Sequence, residues 1–381
     1  MRVIVLASPT SVCTDRGLDS SMVDALKSIR AAGNPVALVS NRSEPSWFQQ
    51  AFSGTQVQFL KAIGRQNGEL ISQNAQRLSM RPFDVLVLAT KAEDVAMGKN
   101  GGALLLGAAW SQDRKVQSLG VQIENAADLL RVVQLTKNWS GQWYFAADTP
   151  DYCVRALSDL STKKFGLAAP QQQFAHALTS TVKSGSSKLK ALLAVTARSL
   201  LMEGITERGQ LLFGTYPSSA SSNNDTEVLS DFVHRLRTTV SQVRMASRGQ
   251  PLFIRHMPSS KRSTGGGNRM DPSEQLRTIH VNPYYRDNGR INGKYVVVVD
   301  DCTTYGASFG VAAALLRAAG AAGVIGVALG KFGNQAHHFR IKVTGNPFAP
   351  LGEGDFRLGE PRLLNGSVNA AAQLSLQQVV S

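Results

Sequence analysis

Tyr295-Val296-Val297-Val298-Val299-Asp300-Asp301-Cys302-Thr303-Thr304-Tyr305-Gly306-Ala307-Ser308 is the stretch that decides how the second half of this chain folds. Four consecutive valines describe a strand buried on both faces, as in the centre of a parallel sheet. Two carboxylates follow at its carboxyl end, the side on which open α/β sheets bind ligands. Next comes a loop of small and hydroxyl-bearing residues, opening a helix at Ser308 whose first backbone N–H groups and dipole favour a phosphate. A diol at one end and a phosphate ester at the other suit this order, and ribose 5-phosphate carries both. Asp300 and Asp301 would accept hydrogen bonds from the 2′ and 3′ hydroxyls. Thr304, Gly306, Ala307 and Ser308 would hold the 5′-phosphate, in a loop that also carries Tyr305. The plainer alternative is a strand ending in two solvent-facing acids and a glycine turn.

The flanks continue the alternation of strand and helix. Gly310–Gly320 is an Ala/Leu-rich helix closed by Gly320-Ala321-Ala322-Gly323, and a strand over Val324–Leu329 leads into Gly330-Lys331-Phe332-Gly333. Upstream, a strand over Leu252–Ile254 runs into Arg255-His256-Met257-Pro258-Ser259-Ser260-Lys261-Arg262. Between Arg244 and Arg290 the basic residues Arg244, Arg248, Arg255, Lys261, Arg262, Arg269, Arg277, Arg286 and Arg290 outnumber the acids Asp271, Glu274 and Asp287. Such a block attracts polyanions; a solvated basic face is the competing reading.

The segment Val296–Ser308 resembles the phosphoribosyl-pyrophosphate (PRPP) signature of type I phosphoribosyltransferases, and the order after it resembles their competence-associated, ComF-like branch. Tyr305 departs from the small or hydroxyl residue usual at its position. The resemblance implies an α/β phosphoribosyltransferase domain that binds PRPP, with Mg²⁺ carried on it, and transfers the phosphoribosyl group to a nitrogen acceptor. It makes Asp300 and Asp301 the catalytic pair. It also assigns Arg255, Lys261 and Arg262 to a pyrophosphate loop, where cations hold charge on the leaving group. Phe332 would stack on a base or fill the core, and the Gly265–Arg269 stretch would cover bound PRPP or remain a surface loop. His256 reads as structural. Many relatives pair as homodimers, and the acceptor would be chosen by the helical connector and the loops around Tyr216 and Phe332.

Strand and helix signals also alternate over the first 140 residues or so. A strand over Val3–Leu6 precedes a helix capped by Asp19-Ser20-Ser21 and stopped after Ala31 by Gly33-Asn34-Pro35; strands over Val36–Val39 and Val85–Leu88 follow, then an ambiguous apolar run over Ala103–Ala109. This part resembles the haloacid-dehalogenase (HAD) fold, whose first strand ends in Asp-x-Asp. Here Ala7-Ser8-Pro9 stands in that place, so the nucleophile is missing, and Asp15 lies too far beyond the strand to replace it. Ser40 matches the family's Ser/Thr position. In Ala89-Thr90-Lys91-Ala92-Glu93-Asp94, followed by Lys99-Asn100, only Asp94 keeps register. Phosphoryl transfer needs nucleophile and metal carboxylates together, so the resemblance implies a HAD-like domain without phosphatase activity. An unrelated Rossmann-like domain with no site is the alternative.

The expected organisation is α/β: a HAD-like Rossmannoid domain at 1–145, a helical connector at 146–205, the phosphoribosyltransferase domain at 206–345 and a Gly/Pro/Asn-rich tail at 346–381. The chain's 381 residues are ample for two cores, at ~100–200 residues per domain. Hydrophobic content of 43% and charged content of 18% describe a folded protein. No apolar run is long enough for a membrane span, and the N-terminus reads as a strand rather than a signal peptide. Three widely spaced cysteines, Cys13, Cys153 and Cys302, form no metal or disulfide pattern and fit a reducing cytoplasm. The net charge of +14 suits an anionic ligand. Besides a transferase, two readings stand: a PRPP- or nucleotide-sensing regulator without turnover, as in bacterial stress and phage-defence clusters, and nucleic-acid binding through the basic 244–290 segment.

Overall fold

The computed structural model describes residues 2–15, 17–139, 143–161, 169–184, 188–224, 226–240, 249–260, 268–371, 374 and 376. Two compact units emerge, 1–141 with 190–207 and 235–242, and 142–189 with 208–234 and 243–381. Both are α/β. Among the described residues no helix is long and apolar enough to cross a membrane.

The first unit is built on a six-stranded sheet in the order Gln58–Lys61, Val36–Ser40, Ile4–Ala7, Val85–Ala89, Leu104–Ala108, Gln122–Ile123. Every pairing is parallel. Near-continuous apolar strands such as Val85-Leu-Val-Leu-Ala89, buried at every position, are what helices on both faces require. Asp19 caps the helix Ser20–Ala31 by accepting from the Met22 N–H at 3.1 Å, and Gly33, at φ +85°, takes the turn that follows. The strand order reverses at Ile4–Ala7, so its carboxyl end is a topological switch point. Helix Leu189–Met202 places Arg198 wholly inside this unit. Its guanidinium donates to Asp84 Oδ1 (2.8 Å), the Phe83 carbonyl (2.6 Å) and the Trp139 carbonyl (3.1 Å).

The second unit has its own six-stranded sheet, ordered Leu211–Thr215, Tyr295–Thr303, Gly323–Lys331, Tyr152–Ala156, Phe145–Asp148, Ser367–Val368. The first four strands run parallel, Phe145–Asp148 runs antiparallel to them, and Ser367–Val368 pairs antiparallel with Phe145–Asp148. Val296–Val299 are all fully buried, as four valines in a row require. Helix Ala307–Ala318 packs on this sheet closely enough that Gly326 faces the Phe309 ring: a Cβ there would lie 2.5 Å from Phe309 Cγ.

Two expectations are corrected. Strands Phe145–Asp148 and Tyr152–Ala156 occupy the start of the stretch expected to be helical from 146 to 205, and 190–207 belong to the first unit. Arg155 interrupts the apolar pattern that would have shown the second strand. It is 7% exposed because its guanidinium pairs with Asp148 Oδ1 at 2.8 Å on the antiparallel neighbour. The tail from 346 is not a separate appendage: Phe356–Leu358, Arg362–Leu364 and Ser367–Val368 pair with strands of the second unit. Strand Phe253–Arg255 stays outside the large sheet and forms an antiparallel ribbon with Ile279–Val281.

Candidate functional site

A cavity of about 970 Å³ opens at the carboxyl ends of the parallel strands of the second unit. Asp300, Asp301, Thr304, Tyr305, Gly306, Ala307, Ser308, Arg255 and Phe332 all line it. The strand reaches further than expected, through the acids to Thr303, with Thr303 paired to Lys331. Both acids are half-buried. Asp300 Oδ1 accepts the Asp301 N–H (2.9 Å), and Asp301 Oδ1 accepts the Cys302 N–H (2.6 Å). Desolvation, then the neighbouring Asp301 charge, pushes the Asp300 carboxyl well above the usual range, while the Ser308 hydroxyl pulls it back. A cation or a set of hydroxyl donors would favour its ionised form.

The loop differs in detail from a set of open donors. Gly306, at φ +87°, is the left-handed residue before the helix, and its N–H donates to Thr303 Oγ1 at 3.1 Å. Ser308 Oγ donates to Asp300 Oδ2 at 2.8 Å, joining the phosphate end to the acid end. The N–H groups of Ala307, Ser308 and Phe309 stand in the first helical turn, which has no intrahelical acceptors. Tyr305 packs its ring edge-to-face on His337 at 5.4 Å, and its carbonyl accepts the His337 N–H. Arg269 Nη1 reaches Thr304 Oγ1 at 3.3 Å.

Arg255 lies at the site but faces another loop. It is 5% exposed, and donates to the Ser218 carbonyl (2.5 Å), the Pro217 carbonyl (3.3 Å) and Thr278 Oγ1 (2.9 Å). Burial lowers its basicity, with Tyr216, Glu274 and Asp300 opposing. It therefore braces the segment Tyr216–Ser219, which leaves strand Leu211–Thr215 beside the acid-bearing strand and lines the same cavity. Tyr216 Oη donates to Gln275 Oε1 at 3.0 Å. The pyrophosphate assignments to Lys261 and Arg262 lie outside the described residues, as does most of the Gly265–Arg269 stretch. His256 meets His280 Nδ1 to Nδ1 at 3.2 Å across the ribbon, a structural pairing. Phe332 is half-buried on the cavity wall rather than in the core, and its N–H donates to the Thr303 carbonyl at 2.9 Å.

Sequence reasoning reached the acid pair and loop through the valine run. It missed the bracing role of Arg255 and gave Gln275 and Lys331 no role, because nothing in their neighbours marks them. The described members of the basic block differ in their surroundings. Arg255 is buried, Arg277 pairs with Glu353 at 3.1 Å, Arg286 with Asp287 at 3.5 Å, and Arg290 lies 4.0 Å over the Tyr284 ring.

At the switch point of the first unit, hydroxyls take the place of carboxylates. Ser8 is buried, and Thr10 Oγ1 meets Thr90 Oγ1 at 2.5 Å. Asp94, the acid in register, is 1% exposed; Arg65 Nη2 binds its Oδ1 at 2.7 Å while the N–H groups of Thr90 and Lys91 cap its Oδ2. Asp15 is exposed in the turn of the hairpin Cys13–Thr14/Gly17–Leu18. Among the described residues no group of three or more His, Cys, Asp or Glu could hold a metal ion.

No family model matches the chain, and no curated protein matches it. Among solved structures, the cobalt-bound deoxy-D-mannose-octulosonate 8-phosphate phosphatase of Haemophilus influenzae aligns with 36% of this chain and 90% of its own, at 13% identity and a TM-score of 0.29. A likeness that low carries no argument about fold or chemistry.

Proposed function

We propose that the second unit binds PRPP and transfers its phosphoribosyl group to a nitrogen acceptor. The observation that carries this reading is the meeting, in one cavity, of an acid pair, a helix-opening loop and a second loop beside them. Asp300 and Asp301 accept from the ribose 2′ and 3′ hydroxyls. The amides of Tyr305 and of Ala307–Phe309 face the 5′-phosphate. The Tyr216–Ser219 loop, held by Arg255, takes the pyrophosphate with its hydroxyls and amides. As the C1–O bond to pyrophosphate breaks and a C1–N bond forms, rate comes from positioning and from donors aimed at the departing charge. Phe332 walls the acceptor side.

The donor set suits a metal that arrives on its ligand. Asp300 and Asp301 would be the carboxylates nearest a Mg²⁺ carried on PRPP, and that ion would supply charge neutralisation for the departing pyrophosphate. The first unit reads as HAD-like and without phosphatase activity, since Asp94 is neutralised by Arg65 and Ser8 holds the nucleophile's place.

Calorimetric titration of Mg²⁺–PRPP tests the reading. Binding that Asp300→Asn and Asp301→Asn each weaken supports it; no binding rejects it. Release of pyrophosphate over a panel of nitrogenous bases supports the transferase, whereas tight binding without release assigns the site to a PRPP sensor.

A further inference from the structure

Lys331 ends strand Gly323–Lys331 directly behind the loop. It is 0% exposed, an arrangement an ammonium tolerates only when its donors are met. Nζ donates to the Thr304 carbonyl and, at 2.6 Å, to the Gln335 carbonyl, and lies 4.7 Å over the Phe145 ring. The backbone is clamped as well: Lys331 N–H donates to the Ser158 carbonyl (2.9 Å) and its carbonyl accepts the Leu160 N–H (2.8 Å). Two titratable groups interact with this position: Asp159, whose backbone forms a parallel β-bridge with that of Lys331, attracts the ammonium, and His337 is repelled by it, its basicity lowered by burial first and Lys331 second. Beyond Asp159 stands Tyr144, whose hydroxyl is pushed up by burial first and then by Asp159.

A trans peptide is planar, so its C=O and N–H point in opposite directions. With the Thr304 carbonyl drawn inward to a buried ammonium, the Tyr305 N–H of the same peptide is turned outward, at a residue that lines the cavity. We infer that Lys331 is a positioning residue: it sets the phosphate loop from behind and turns the Tyr305 amide toward the bound anion. This rests on the reading of the cavity as a sugar-phosphate site. Burial brings the Lys331 ammonium down to about 8, so the brace is charged at neutral pH and weakens above it.

The test uses the full chain, with Lys331→Met and Lys331→Arg. Lys331→Met is expected to weaken Mg²⁺–PRPP binding roughly tenfold to a hundredfold, the range for losing a hydrogen bond to a charged group, with Lys331→Arg recovering part of it. Wild-type affinity falls between pH 7 and pH 9 beyond any fall in Lys331→Met. Hydrogen exchange of the 303–309 amides, corrected for intrinsic rate, is faster in Lys331→Met. Wild-type affinity in a folded Lys331→Met, or unchanged loop exchange, overturns the inference. If the wild type binds no PRPP, the sugar-phosphate reading fails, and the exchange comparison alone decides the role of Lys331. If Lys331→Met does not fold, loop exchange in the wild type decides: acceleration above pH 8 supports the brace and a flat profile overturns it.

Discussion

Gly326→Ala couples the core of the second unit to its cavity through one contact. Gly326 pairs with Val298 of the acid-bearing strand and faces Phe309, which is fully buried in the first turn of helix Ala307–Ala318. An added Cβ would stand 2.5 Å from both Phe309 Cγ and Cδ1, and 3.0 Å from Phe309 Cβ. Ordinary carbon contact begins near ~3.5 Å, so the ring must retreat by about 1 Å, and the helix start carrying Ser308 moves with it. Overpacking of this kind costs roughly 1–3 kcal/mol. A displacement of about 1 Å is enough to misplace a binding group, at up to roughly a hundredfold. Urea unfolding should show the stability loss, and calorimetry a loss of Mg²⁺–PRPP affinity of at least about tenfold. Phe309→Leu in the same chain makes room and should recover part of both. A destabilised Gly326→Ala that binds PRPP as the wild type does would refute the coupling.

Arg198→Met leaves Asp84 buried without its partner, and should cost roughly 3–5 kcal/mol in chemical unfolding; a loss under about 1 kcal/mol contradicts the buried pair. Lys331 gives a pH signature of opposite sign to that of a lysine stabilised by an ion pair, whose folded value is raised. Its folded value, about 8, lies below the ordinary 10.5, so the unfolded chain holds the proton that the folded one has lost. Wild-type stability should therefore rise relative to Lys331→Met between about pH 8 and 10.5, by roughly 3 kcal/mol at most; parallel curves would contradict it. With p-nitrophenyl phosphate and Mg²⁺ the protein should show no turnover above background. Turnover abolished by Asp94→Asn would show that the Arg65–Asp94 pair opens during catalysis.

The legible parts of the sequence were those where one residue type decides the matter. Val296–Val299 admit only a doubly buried strand, Gly306 carries the left-handed turn, and Asp19 and Gly33 bracket the first helix. Illegible parts depend on partners distant in sequence. Tyr152–Ala156 is a strand because Arg155 finds Asp148 across the ladder, so a charge that reads as solvent-facing is inside. Arg255 looked like a free cation for pyrophosphate. Its strand pairs with Ile279–Val281 in a separate ribbon, and its guanidinium donates to the Pro217 and Ser218 carbonyls. Lys331 is equally silent in sequence, since nothing in Gly330-Lys331-Phe332 shows that Thr304 and Gln335 will offer it carbonyls.

A crystal structure of the protein with Mg²⁺–PRPP tests the central claim most directly. The ribose 2′ and 3′ hydroxyls are expected on the Asp300 and Asp301 carboxylates, and the 5′-phosphate against the amides of Tyr305 and Ala307–Phe309. A sugar bound elsewhere, with the acid pair untouched and the Tyr305 phenol filling the phosphate position, would contradict it.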